Sequence, residues 1–243
     1  MRAKTEPLLV ELHAHTTWSD GAMTMRELID LYGRHGFDIL CVTDHVIRTD
    51  DPWLAEGVPA MSVSERESPR YLAELAVEAA RARAVYALVV VPGLELTYND
   101  ADPTEAAHAV AIGLREYVSV DGGIVDAMRT ARAAGAAVIA AHPYDGEPAP
   151  SESRLTQRFA RDRELAKLVD RYELFNRSQL FAWVAEAGLP AVATGDTHFP
   201  EHVDGWKTLL PCAREEQAVV DYLRSPRPVY LTKLDGAQRL LAA

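Results

Sequence analysis

Cysteine is scarce in this chain, which has 243 residues and only two cysteines, Cys41 and Cys212. Two isolated cysteines form neither a disulfide framework nor the paired spacing of a zinc finger. Stability must therefore come from an ordinary hydrophobic core, and the hydrophobic content of 48% is enough to build one. A chain of this length is compatible with one α/β barrel, so we expect residues 1–243 to form a single domain.

Long apolar runs are also absent. Residues 1–7 lack the apolar core of a signal peptide, and no apolar run approaches the roughly 20 residues that cross a bilayer. We therefore expect a cytoplasmic protein that has no membrane partner.

Basic residues are outnumbered, with 25 Lys and Arg against 36 Asp and Glu, and the formal net charge is −11. General electrostatic attraction to a long nucleic-acid backbone is therefore unfavourable, although a local metal cluster could still hold one phosphate. We therefore expect a small anion as the partner and no extended nucleic-acid binding.

Several catalytic motifs are missing. The chain has no Gly-x-Ser-x-Gly nucleophile elbow, no phosphate-binding Gly-x-x-x-x-Gly-Lys loop and no Gly-x-Gly-x-x-Gly after a strand. Ser19 and Asp20 beside His13 could form part of a serine triad. We disfavour that alternative because it leaves the other histidines without a purpose.

Short apolar runs alternate with amphipathic helical stretches, as in βα units around a parallel sheet or barrel. The first helix is marked by a capping box, Thr24-Met25-Arg26-Glu27. Further helices are expected at about 69–84, 124–134, before 169 and at 178–187. The seven predicted strands begin near Leu8, Phe37, Tyr86, Ala107, Ala136, Tyr172 and Ala191.

Six of the eight histidines lie within or at the end of a predicted strand: His13, His15, His45, His108, His142 and His198. The strand pattern turns His13 and His15 to the same face. Asp20, Glu95 and Asp196 bring the potential ligands to nine, and active sites of parallel α/β folds form at strand ends. Imidazole and carboxylate ligands suit zinc, manganese or iron. For any one residue alone, a hydrogen-bonded polar side chain at a strand end is an equally good interpretation.

The motifs occur in a characteristic order: His13-x-His15, Ser19-Asp20-Gly21, Thr43-Asp44-His45, Gly93-Leu94-Glu95, His108, Ala141-His142-Pro143 and Gly195-Asp196-Thr197-His198. In this order they resemble the successive motifs of the polymerase and histidinol phosphatase (PHP) superfamily. The resemblance implies a distorted seven-stranded (β/α)7 barrel with a metal cluster, usually trinuclear, at the ends of its strands. Ala14 and Thr197 depart from residues common in that family, but neither is a ligand.

The resemblance also implies how two to three divalent ions would be held. It assigns the first ion to His13, His15, Glu95 and Asp196. It assigns the second to His108 and His142, with Glu95 bridging the two ions, and the third to Asp20, His45 and His198. Glu95, Asp196 and His198 are the residues it places in catalysis.

The expected activity is hydrolysis of a phosphate monoester of a small metabolite, histidinol-phosphate-like or a nucleotide, by a hydroxide that bridges two metals. We expect Arg177 to bind phosphate through its forked guanidinium, next to Asn176 at the same strand end. Arg48 and His202 are weaker candidates for substrate binding. Two alternatives remain open at this point: an exonuclease-type phosphodiesterase and a non-catalytic metal-binding module.

Overall fold

One curled, mixed sheet runs through the part of the chain that the computed structural model describes, residues 6–51, 61–146 and 156–235. Its strands are β1 (Leu8–Glu11), β2 (Ile39–Val42), β3 (His45–Ile47), β4 (Val89–Tyr98), β5 (Ala107–Ile112), β6 (Ala137–Ala140), β7 (Arg171–Asn176), β8 (Gln179–Leu180), β9 (Ala191–Thr194), β10 (Gly205–Leu210) and β11 (Tyr230–Leu234). The helices are α1 (Met25–Arg34), α2 (Ser68–Tyr86), α3 (Ile124–Ala133), α4 (Arg158–Arg161), α5 (Arg163–Ala166), α6 (Ala182–Glu186) and α7 (Glu216–Leu223), with a 3-10 turn at Pro200–Val203.

The strands follow the order β11-β10-β1-β2-β4-β5-β6-β7-β8, with β3 paired to β4 and β9 paired to β7. The sheet curls because the chain after β9 returns to the chain after β1. There the Thr197 amide donates to the His13 carbonyl at 3.1 Å, and the His15 amide donates to the Thr197 carbonyl at 2.9 Å. This bridge brings the ends of β1 and β9 to one cleft.

The fold is a mixed α/β fold of the expected kind, and all seven predicted strands occur, as β1, β2, β4, β5, β6, β7 and β9. The regular (β/α)7 count is not confirmed, because four further strands join the sheet and β5 is antiparallel to both β4 and β6. A parallel connection needs a crossover of a dozen or more residues. The loop between Tyr98 and Ala107 is too short for one and contains no helix.

The helix expected at 178–187 begins later than predicted. Arg177 has φ of 54°, and this left-handed residue turns the chain so that Gln179–Leu180 pairs with β7 as a hairpin. The charged helix expected before residue 169 is split into α4 and α5, because the Asp162 side chain caps the second piece by accepting from the amides of Glu164 and Leu165.

The first helix agrees with its sequence signal. The Thr24 hydroxyl accepts from the Glu27 amide, and the Glu27 carboxylate accepts from the Thr24 amide at 2.9 Å. The capping box fixes where α1 begins, and Met25, Leu28, Ile29 and Tyr32 are buried against the sheet. That core supports the strand β1, from whose end the first histidines extend.

No helix among the described residues is long and apolar enough to span a membrane. Parts of the chain segments 48–69 and 144–153 lie outside the described residues, at 52–60 and 147–153.

Candidate metal centre

All nine predicted ligands line the cleft at one edge of the sheet. Their ligand atoms form three groups, each with atoms within 4.8 Å of one another: His15, Asp20, His45 and His198; His13, His15 and Asp196; and Glu95, His108 and His142. His108 stands near the start of β5 rather than at its end, and it reaches the same edge because β5 runs antiparallel to β4.

Glu95 stands at the centre of the cleft, and its two oxygens face different histidines. Its Oε2 lies 3.3 Å from His13 Nε2, 3.4 Å from His15 Nε2 and 2.8 Å from His45 Nδ1. Its Oε1 lies 3.2 Å from His108 Nδ1 and 3.5 Å from His142 Nε2. This divided environment is what a carboxylate needs to serve two neighbouring cations.

Two aspartates complete the other groups. Asp196 Oδ1 lies 3.5 Å from His15 Nε2 and 3.4 Å from His198 Nδ1. Asp20 Oδ1 lies 3.3 Å from His45 Nε2 and 3.1 Å from His198 Nε2. Each carboxylate therefore joins imidazoles from different parts of the chain.

The donor set fits divalent metal ions. Several of its buried atoms have no hydrogen-bond partner among the described residues: His13 Nε2, His15 Nε2, His108 Nδ1 and both carboxylate oxygens of Glu95. Leaving buried polar atoms without partners is costly in a folded protein, so such atoms call for an explanation. A cation would satisfy them together, and nitrogen and oxygen donors are those that zinc, manganese and iron accept.

Glu173 on β7 orients the ligands from behind, and sequence reasoning did not assign it. Its fully buried carboxylate contacts His13 Nδ1 at 2.9 Å and accepts from the His142 amide at 2.6 Å. It also accepts from Thr194 Oγ1 and Asn176 Nδ2. By engaging Nδ1 it leaves Nε2 of His13 aimed into the cleft, as carboxylates behind metal-binding histidines do. The sequence signal that could have identified Glu173 is its position as a carboxylate within a buried strand.

Three other histidines have similar partners behind them. His45 Nδ1 lies 2.7 Å from Thr97 Oγ1 and His108 Nε2 lies 2.9 Å from Asn99 Oδ1, so residues of β4 and the loop after it hold both rings. His15 Nδ1 lies 3.3 Å from Ser19 Oγ. The rings are thus held by contacts outside the cleft.

The backbone is strained where the ligands are presented. Among the described residues, four positions other than glycine have positive φ, and three belong to this site: His142 at 33°, Arg177 at 54° and Asp196 at 41°. Non-glycine residues in this region cost about 1–3 kcal/mol each and concentrate at functional sites.

The predicted substrate-binding residues are engaged within the protein. Arg177 is 40% exposed and donates from one guanidinium nitrogen to the Asp196 carbonyl and carboxylate at 2.8 and 3.1 Å. Asn176 donates to Glu173 and Asp196. These contacts place both residues against the metal-facing carboxylate.

Arg48 and His202 are further from the centre of the cleft. The Arg48 guanidinium stacks over the Tyr98 ring at 4.1 Å and donates to the Asn99 carbonyl. The His202 ring accepts from the amide of His198 at 3.1 Å. In this conformation both side chains support neighbouring parts of the site.

The titratable groups of the centre are tightly coupled. Burial lowers the pKa of His45, but the carboxylates of Glu95 and Asp20 outweigh burial and raise that pKa to about 10. Burial and the neighbouring imidazoles of His198 and His45 lower the pKa of His15 to about 3. Burial also lowers the pKa of His108 to about 4. Without metal, the His45 imidazole is therefore charged at neutral pH, whereas the His15 and His108 imidazoles are neutral.

We expect the metal-free protein to be most stable near pH 6.5, the ordinary pKa of histidine. The folded protein holds the proton of His45 more tightly than the unfolded chain does, so this stabilisation is complete below pH 6.5 and is lost as the pH rises towards 10. In the unfolded chain, His15 and His108 bind protons at a higher pH than they do in the folded protein. The free energy of unfolding therefore also falls as the pH drops towards 3 or 4. Thermal unfolding of chelator-treated protein across this range should give a maximum, and a steady rise from acid to alkaline pH would contradict the assignment.

Known proteins identify the family of this chain. The family model for the PHP domain matches residues 11–166, more than half of the chain. The chain therefore belongs to the PHP domain family.

Two relatives are informative. The DNA polymerase/3'-5' exonuclease PolX of Bacillus subtilis is 24% identical over 214 residues, which cover 84% of this chain and 37% of that protein. The chain thus spans little more than a third of the curated relative it matches. A crystal structure of a two-domain protein from Bacteroides vulgatus, containing a predicted PHP-like metal-dependent phosphoesterase, aligns with a TM-score of 0.65 at 18% identity. That alignment covers 96% of this chain and 69% of the other, and it shows that the fold is shared.

Proposed function

We propose that this protein is a metal-dependent phosphoesterase that hydrolyses the phosphate monoester of a small metabolite, either histidinol-phosphate-like or a nucleotide. The observation that carries the proposal is the position of Glu95, whose two oxygens face two sets of histidine nitrogens. Three of these nitrogens, on His13, His15 and His108, are buried without a hydrogen-bond partner among the described residues. Membership of the PHP domain family and the fold shared with a PHP-like metal-dependent phosphoesterase support the same activity.

The charge of the loaded cleft favours a phosphate. Three divalent ions carry six positive charges, and the carboxylates of Asp20, Glu95 and Asp196 remove three. The cleft would therefore be cationic within a protein of net charge −11, which suits a compact phosphate dianion. Bound in pairs, divalent ions lower the pKa of a water molecule and stabilise the charge of an in-line displacement at phosphorus.

The protein's own residues would orient the reacting groups. Glu95 and Asp196 would hold the ions at fixed spacing, and Glu173 would keep the His13 ring turned towards them. His198 would bind at the rim through Nε2, because its Nδ1 is engaged with the Asp196 carbonyl at 2.9 Å. His202 would act through His198, because the His202 ring accepts a hydrogen bond from the His198 amide.

Replacing Arg177 by alanine should weaken substrate binding. Among the described residues, only Nε and Nη2 of Arg177 bond to Asp196, and the side chain is 40% exposed at the cleft, so a phosphate oxygen can reach Nη1. Removing a charged hydrogen-bond donor of this kind should raise KM about tenfold or more. Steady-state kinetics and elemental analysis together test this.

Metal content should remain unchanged in Arg177→Ala, and the exposed Arg129→Ala is the matched control. A variant that loses metal while KM stays constant would show that Arg177 serves Asp196 and not the substrate.

An exonuclease-type phosphodiesterase is the second candidate, because the PolX protein of Bacillus subtilis carries the name of a 3'-5' exonuclease. The net charge of −11 disfavours a long nucleic-acid track but permits the end of a strand to enter a cationic cleft. The third candidate, a non-catalytic metal-binding module, would use the same ligands without turnover.

One assay separates the three candidates. Protein loaded with Zn, Mn or Fe is incubated with a panel of phosphomonoesters and with 3'-labelled single-stranded DNA, before and after treatment with a chelator. We expect phosphate release from a small monoester, loss of activity with the chelator and recovery when metal is restored. Preferential release of nucleotides from DNA would favour the exonuclease, and loaded protein that leaves every substrate intact would favour the non-catalytic module.

A further inference from the structure

A fully buried ion pair lies directly behind the metal centre, outside the nine ligands. Lys207 on β10 and Glu11 at the end of β1 are both 0% exposed, and Lys207 Nζ lies 2.7 Å from Glu11 Oε2. Breaking a buried pair on one side leaves an uncompensated charge, which is strongly unfavourable. The pair is well satisfied, because Tyr32 donates to Glu11 Oε2 and Lys207 also donates to the His202 carbonyl at 3.0 Å.

The other oxygen of Glu11 joins the two segments that carry ligands of one metal group. Glu11 Oε1 accepts from the amides of Leu12 and His13 at 3.0 and 3.1 Å, and from the amide of Gly195 at 2.8 Å. His13 is itself a predicted ligand, and Gly195 immediately precedes Asp196. One carboxylate oxygen therefore sets the separation between the backbones of two ligands that are 183 positions apart in the sequence.

Gly195 packs closely against the buried pair. A Cβ atom at Gly195 would overlap both Glu11 Oε2 and Lys207 Nζ, so a side chain at this position would have to displace the pair. Lys207 extends the connection to the group formed by His15, Asp20, His45 and His198. It donates to the His202 carbonyl, and the His202 ring accepts a hydrogen bond from the His198 amide.

We propose that Glu11 and Lys207 are positioning residues that hold His13 and Asp196 at ligand spacing before any metal binds. The inference rests on the proposed metal centre. Neither side chain is one of the nine predicted ligands. Glu11 accepts from the backbone amides of His13 and Gly195, and Lys207 acts through Glu11 and the His202 carbonyl. Residues that orient metal ligands in this way typically change metal affinity by about 10–100-fold when replaced.

Two double variants separate positioning from general stability. Glu11→Leu/Lys207→Met removes both charges together, a replacement that is often tolerated by the fold, but it also removes the acceptor of the His13 and Gly195 amides. Glu11→Gln/Lys207→Met is equally neutral and keeps an amide oxygen as that acceptor. The control is Lys233→Met, an exposed lysine on the strand paired with β10.

Zinc affinity and stoichiometry are measured by titration of each metal-free protein, with circular dichroism to compare folding. We expect the leucine variant to bind one ion about 10–100-fold more weakly, and the glutamine variant to recover most of that loss. Unchanged zinc binding in a folded leucine variant, or equal losses in both double variants, would overturn the inference. Wild-type protein that binds no zinc would instead contradict the proposed function itself.

Hydrogen exchange in the wild-type protein provides a test that does not depend on the variants folding. If the pair holds the site before metal binds, the amides of His13 and Gly195 stay protected after chelation. Exchange of these amides as fast as that of exposed loop amides in the metal-free protein would overturn the inference.

Discussion

Replacing Glu95 by glutamine is expected to release two metal ions together and to lower the rate of phosphomonoester hydrolysis by more than about a hundredfold. The substitution keeps the size of the side chain but removes the charge that lies between two ligand groups. Oε1 faces His108 and His142, while Oε2 faces His13 and His15. The amide keeps one oxygen instead of two, so one ion loses a ligand, and both ions lose the negative charge that allows two cations to stand close together. Elemental analysis and steady-state kinetics measure the two effects.

The exposed Glu116→Gln makes the same chemical change outside the cleft and should leave metal content and rate unaffected. A Glu95→Gln protein with its full metal content and most of its activity would show that this carboxylate is not a bridge.

Replacing Asp196 by asparagine should release one ion instead of two, again with a loss of rate greater than about a hundredfold. Asp196 Oδ1 faces His13 Nε2 at 3.6 Å and His15 Nε2 at 3.5 Å, and it has no contact with His108 or His142 among the described interactions. The group formed by Glu95, His108 and His142 should therefore keep its ion. Metal content and activity are measured as for Glu95.

The control for Asp196→Asn is the exposed Asp221→Asn on α7. The comparison with Glu95→Gln is the informative part. If both variants lost the same number of ions, the three ligand groups would act as one cooperative unit and the division into separate sites would be wrong.

The seven strands and the gathering of the ligands could be predicted from the sequence because both depend on local patterns. A strand places His13 and His15 on one face, and short apolar runs that end in histidine or a carboxylate leave those groups at a sheet edge. The sequence also predicted that His108 lies among the ligands, but the structural reason differs from the expected one. His108 shares the edge because β5 reverses direction, and the shortness of its loop was the only sign of that reversal.

The residues behind the ligands could not be predicted, because their roles depend on contacts between distant parts of the chain. Glu173 reaches His13 across 160 positions and Glu11 reaches Gly195 across 184. In the sequence, both are single carboxylates in apolar strands. Lys207 belongs to β10, a strand whose mixed composition gave no strand signal and whose place beside β1 is fixed only by antiparallel pairing.

Substrate contacts were the least predictable part of the site. Arg177 was expected to face a phosphate, and it stands at the cleft while also holding Asp196. Arg48 was given a similar role from its position after His45, but its stacking on Tyr98 depends on β4. A charged residue after a strand can serve a substrate or a ligand, and the sequence pattern is the same for both.

The central claim is that the nine residues hold a cluster of metal ions in one cleft. Anomalous diffraction from crystals of the wild-type protein grown with zinc or manganese tests it most directly. We predict two to three anomalous peaks in the cleft, with one on each side of Glu95 and nitrogen or oxygen ligands at about 2.0–2.2 Å. A folded, metal-treated protein with no ion between Glu95 and the surrounding histidines would contradict the claim.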